Sequence, residues 1–159
     1  MFAYRILFVG AALAALAGCA TQQLPVSVAE TIAANPQLST LNQLVVRTNL
    51  TETLKTSGPF TVFAPSNDAF AKVPAKTMSD LAADPAKLKA VLAYHVLPVK
   101  VTAADAKNSN AKTLNGASVA ISKAGDFVTI EDAVVQKADI LATNGVVHIV
   151  DSVLLPPAR

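Results

Sequence analysis

Two histidines, His95 and His148, and a single cysteine, Cys19, are the side chains here with the widest chemical reach. A zinc site needs three or four ligands, and two histidines with scattered carboxylates are a poor supply. No C-x-x-C, H-E-x-x-H or EF-hand loop occurs, nor a G-x-S-x-G elbow, a Walker-type loop or a G-x-G-x-x-G turn. Asp80 and Asp84 could face each other across a helical turn, and a solvated surface pair is the expected meaning. His95 continues the apolar face of Leu88 and Leu92, while His148 alternates with Val146 and Val150. Each is expected to be a neutral core histidine with both nitrogens bonded, because an unpaired buried polar group costs roughly 1–3 kcal/mol. No catalytic, metal or cofactor site is expected, and the chain reads as a non-enzymatic protein.

Cys19 needs a different explanation. Met1 and Arg5 precede an almost unbroken apolar stretch from Ile6 to Leu16, and small residues follow. A basic head, a short apolar middle and a small-residue end describe an export signal. The stretch is too short for a membrane span, which takes about 20 apolar residues. Leu16-Ala17-Gly18-Cys19 resembles the lipobox of bacterial lipoproteins. That resemblance implies cleavage after residue 18, lipidation of Cys19 and attachment to a membrane of the cell envelope. Ala20 stands where an aspartate would resemble an inner-membrane retention signal, so the outer membrane is the favoured address, facing the periplasm or the surface. "ATQQLPV", residues 20–26, reads as a short tether of at most roughly 25 Å, giving a leader at 1–18, a tether at 19–26 and a domain at 27–157.

The chain has 159 residues with 13 basic and 11 acidic side chains, interspersed and without a basic run, so a nucleic-acid partner is not expected. Residues 19–159 suffice for one domain. With one cysteine, no disulfide can form within the chain, and stability must come from packing.

The first half has helical spacing. Val28 and Ile32 predict a helix at about 27–35, ended by Pro36. Leu38, Leu41, Leu44 and Val45 predict another at about 37–48, and Leu50 with Leu54 one further turn. "FTVFA", residues 60–64, breaks that period and reads as a buried strand. Ser66 is placed to cap a helix carrying Asp68 and Phe70, and Asp84-Pro85 to open another bearing Leu88, Val91 and Leu92. Beyond residue 110 the period becomes two: Val119 and Ile121 on one strand, Val128 and Ile130 on the next. Asn115-Gly116 and Asn144-Gly145 are expected as positive-φ hairpin turns, and Lys123–Asp126 as a looser connection. Helices first and antiparallel strands later indicate an α+β domain.

"GPFTVFAPSNDAF" (58–70), Tyr94-His95 and "NGVVHIVDSVLLPP" (144–157) together resemble the fasciclin domain over residues 27–157. The resemblance implies a wedge-shaped β-sandwich decorated with several helices. It also implies a module for adhesion or for interaction with an envelope or surface protein or glycan. Tyr-His and Asp-Ile pairs are associated with adhesion in animal members, which makes Tyr94, His95, Asp139 and Ile140 candidate partner contacts beside a structural role for each. Binding or carriage of a small apolar ligand between helices and sheet is the alternative reading.

Overall fold

Ser27 and Glu30 start the domain by capping each other. The Glu30 amide donates to the Ser27 hydroxyl, and the Glu30 carboxylate accepts from the Ser27 N–H at 2.8 Å, opening α1 (Val28–Ala34). The structure is a computed structural model that describes residues 26–56 and 58–157. Asn35 ends α1, and its side chain accepts from the Gln37 amide to begin a 3-10 turn at Pro36–Leu38, which runs into α2 (Ser39–Arg47). Asn49, at φ 54°, separates α2 from α3 (Leu50–Lys55). The apolar stripe read from the sequence is buried: Ile32, Leu38, Leu41, Leu44, Val45, Leu50 and Leu54.

All six residues of β1 (Phe60–Pro65) are buried. Ser66 then caps α4 (Asn67–Lys72) by accepting from the Ala69 amide. α2 has no cap of its own. Asn67 supplies one from α4, accepting from the Thr40 amide at 3.0 Å while its amide nitrogen donates to the Pro36 carbonyl. α5 (Ala75–Ala83) follows, with no fully buried residue. Asp84 accepts from the amides of Ala86 and Lys87 to open α6 (Pro85–Tyr94), which buries Leu88, Val91, Leu92 and Tyr94 and leads into the two-residue strand β2 (Val96–Leu97).

The second half supplies β3 (Ser109–Lys112), β4 (Ser118–Ala124), β5 (Phe127–Ile130), β6 (Ala133–Ala142) and β7 (Gly145–Val150). The seven strands lie in the order β2-β1-β7-β6-β5-β4-β3. Only β1 and β7 run parallel, from Phe60 beside Gly145 to Pro65 beside Val150; the other neighbours are antiparallel. β7 is buried along its whole length, as its near-continuous apolar sequence requires. The sheet curls on itself: Leu97 of β2 shares one cluster with Val119, Ile121, Val128 and Ile130 from the opposite half. The Leu114 amide, just beyond β3, closes part of the remaining gap by donating to the Val96 carbonyl. The other face, through Val62, Val147 and Ile149, packs on the helices. An α+β domain results, a nearly closed two-layered sheet with helices outside.

Two turns differ from expectation. The β6–β7 connection is Thr143-Asn144, and Gly145 is the first residue of β7, paired with Ala142. Its glycine serves close approach: a Cβ there would collide with the Phe60 carbonyl. Gly116, at φ 89°, does meet the expected conformational requirement. The Lys123–Asp126 connection is tight, a two-residue hairpin of Gly125 (φ 61°) and Asp126 between the paired Ala124 and Phe127.

Candidate functional site

His95 caps the C-terminal end of α6 and is 2 % exposed. Its Nδ1 lies 2.7 Å from the Val91 carbonyl, and its Nε2 accepts from the Leu154 amide at 2.9 Å. These partners fix the tautomer, with the proton on Nδ1. The ring joins α6 to the chain after β7. Burial pulls its pKa down to about 4, against a smaller opposing effect of the Val91 bond, so it is neutral at ordinary pH. Tyr94 is 3 % exposed and donates through its hydroxyl to the Ser118 carbonyl at 3.3 Å. Burial, and then the nearby Glu131 charge, raise the phenol above its usual range.

His148 lies on the inner face of β7, stacked on Phe63 of β1 with ring centres 5.6 Å apart. Its Nε2 donates to the Val101 carbonyl at 2.7 Å and its Nδ1 accepts from the Asp139 amide at 3.2 Å. Burial lowers its pKa, outweighing the Val101 bond and the Asp139 charge. Asp139 reaches this position through a bulge in β6 between Lys137 and Ile140 and sits at φ 56°, where aspartate is tolerated better than most residues. Its exposed carboxylate accepts from the Ala103 amide at 2.8 Å. With Thr61, whose hydroxyl donates to the Val99 carbonyl and accepts from the Val101 amide, it clasps residues 99–103 onto the sheet. Ile140, opposite Val147, is half-buried against the helix-side core.

The four residues expected as partner contacts therefore fall into two separate places. Tyr94 and His95 are interior groups at the end of α6, and only Tyr94 borders a surface groove. Asp139 and Ile140 belong to the β6 bulge, where the carboxylate faces outward but is engaged with Ala103. Cys19 and the residues expected as leader and tether, up to Pro25, lie outside the described residues. Val26, expected as the last tether residue, belongs to the domain, its carbonyl accepting from the Thr143 amide.

A third junction has no local signature in the sequence. Asn144 Oδ1 accepts from the Val28 amide at 2.8 Å, and its Nδ2 donates to the carbonyls of Leu54 and Thr56, both at 2.7 Å. Its own carbonyl accepts from the Phe60 amide. The side chain thus ties α1 and the end of α3 to the β6–β7 turn, and the backbone carbonyl adds β1. The Asn-Gly pair signalled a turn and concealed this role.

Among the described residues no three histidine, cysteine or acidic side chains group closely enough to hold a metal ion. The cavity between the sheet layers, bounded by Phe63, Ile121, Val135 and His148, is about 10 Å³, room for one water. A larger open groove of about 430 Å³ runs beside Tyr94, between Glu131-Asp132 and the chain segment 152–157.

With this architecture in view, the fasciclin domain model matches residues 36–156, and the chain belongs to the fasciclin domain family. It is 41% identical over 133 residues to protein sll1483 of Synechocystis, covering 82% of this chain and 74% of that one. It is 39% identical over 141 residues to the immunogenic protein MPB70 of Mycobacterium bovis, covering 86% and 71%. Against the pig transforming growth factor-beta-induced protein ig-h3 the identity is 36%, over 74% of this chain but 17% of that protein. The FAS1 domain pair of the insect cell adhesion molecule fasciclin I has the same fold, with a TM-score of 0.66 at 19% identity. It matches 82% of this chain and about half (51%) of that one. The relatives are consistent with adhesion or protein interaction.

Proposed function

We propose that this protein is a non-enzymatic interaction module, held by lipid on Cys19 at a bacterial envelope membrane, that binds another envelope or surface component. The observation that carries the reading is how the family's fold uses its chemistry. Both imidazoles engage both ring nitrogens internally, and the Asp139 carboxylate holds a backbone amide. The groups with most chemical reach therefore position the scaffold and leave recognition to the surface. The short tether supports a site of action close to the bilayer, on an outer-membrane leaflet of either orientation. If the anchor faces the periplasm, the partner is an envelope component within reach of it.

Photo-crosslinking in intact cells, followed by partner identification, tests the interaction, and reproducible capture of one component is expected. Fractionation of the Cys19→Ser variant beside labelled palmitate tests the anchor. Release from membranes with loss of label is expected, because a hydroxyl oxygen does not replace the thiolate as lipid acceptor. An unlabelled variant that stays on membranes overturns the lipid anchor.

A further inference from the structure

We infer that the groove beside Tyr94 is the docking site for an extended peptide of a partner protein, which presents a lysine or arginine to Glu131 and Asp132. This partner class rests on the interaction-module reading above. The groove's volume of about 430 Å³ falls in the range of ligand sites, roughly 300–1,000 Å³. Its chemistry is one-sided. Among the described residues, two carboxylates, a phenol and two serines supply the polar lining, and no lysine or arginine contributes to it. Glu131 is set in place before any ligand arrives: at φ 52° its amide donates to the Ala120 carbonyl at 2.8 Å, and its carboxylate accepts from the Ala120 amide at 2.7 Å. The Tyr94 hydroxyl donates to Ser118, which leaves its oxygen able to accept from a cation.

The opposite wall favours a peptide over a small amine. Residues 153–157 follow β7 outside any helix or strand, with Leu154 buried and Leu155 50 % exposed. The Leu154 amide is taken by His95, whereas the backbone of Val153 and Leu155 has no hydrogen-bond partner among the described residues. An extended peptide can pair with such backbone, set an apolar side chain on Leu155 and place its next basic one between the carboxylates. Charge complementarity selects the cation, and the unpaired backbone of Val153 and Leu155 selects the peptide.

The test uses the full-length chain in a non-ionic detergent and a labelled heptapeptide of alternating alanine and lysine around a central leucine, read by fluorescence anisotropy. Binding is expected for this peptide and not for its glutamate counterpart. The variant Glu131→Gln with Asp132→Asn keeps an acceptor for the Ala120 amide, and weakening by about tenfold is expected. Asp132→Asn alone should weaken binding about threefold, which keeps the test open should the double variant not fold. Asp126→Asn, at the β4–β5 turn and outside the groove, should change nothing. Equal binding by the acidic peptide, unchanged affinity in both carboxamide variants, or displacement by spermidine at matched concentration would each overturn the proposal. If the peptide fails while intact cells still yield a crosslinked partner through other faces, the groove is wrong and the interaction reading stands. Failure of both overturns both.

Discussion

The backbone N–H of Asp139 donates to Nδ1 of His148 across the bulge in β6, at 3.2 Å. The bulge thus turns an amide of one strand toward the imidazole of the next, while the Asp139 carboxylate holds the Ala103 amide on the other side. The aspartate of a pair that resembles an adhesion motif works, in this domain, as a clasp.

Asp139→Ala tests that clasp. Alanine removes the bond to Ala103 and is strained at φ 56°, so a loss of about 1–2 kcal/mol is expected. Asp139→Asn keeps an acceptor and tolerates the conformation, and should cost under about 0.5 kcal/mol in a denaturant titration. A normal melt for Asp139→Asn with lost partner binding would instead make the carboxylate a contact.

His95→Ala should act through stability. It strands the Leu154 amide and opens a void at the end of α6, for about 2–4 kcal/mol. The drop in melting temperature is the readout, and an unchanged melt would contradict the assignment.

Acid should destabilise the domain in a defined window. His95 titrates near 4 when folded and near 6.5 in the unfolded chain, so as pH falls the unfolded chain binds its proton first. The stabilisation is complete above about pH 6.5 and is lost progressively down to about pH 4, for about 3 kcal/mol in total. His148, whose pKa is also lowered by burial, adds in the same direction. Chemical denaturation between pH 7 and 4 measures the slope, which should be shallower in a His95→Asn variant.

Asn144 separates loss of a bond from introduction of repulsion. Asn144→Ala gives up three side-chain hydrogen bonds, for about 2–3 kcal/mol. Asn144→Asp keeps the acceptor for Val28 but turns an oxygen toward the carbonyls of Leu54 and Thr56. It should therefore melt no higher than the alanine variant, despite being nearly isosteric.

Elements with a strong local signature were legible in the sequence. β1 was announced by its aromatic and β-branched run, α4 by Ser66, α6 by Asp84-Pro85, and β4 and β5 by alternation around Val119, Ile121, Val128 and Ile130. α5 was missed because it buries no residue completely and begins after Pro74 without a side-chain cap, which leaves neither stripe nor start signal. β2 is too short for a period, and β3 (Ser-Asn-Ala-Lys) has no buried residue. The internal role of His95 was readable from its place on an apolar helix face. The clasp at Asp139 was not, because a bulge depends on the register of β7. Asn144 was read as a turn residue because its partners, Val28, Leu54 and Thr56, are distant in the chain.

The parallel pairing of β1 with β7 sets an order in time. Phe60 finds its neighbour only at Gly145, so the centre of the sheet cannot assemble until nearly the whole domain has been synthesised. Until then β1 has only the two residues of β2 beside it, and its six core-forming positions present an unpaired apolar edge. An incomplete chain is accordingly an aggregation-prone species. Shortening the protein from its C-terminal end removes the middle of the fold and leaves no smaller stable domain behind.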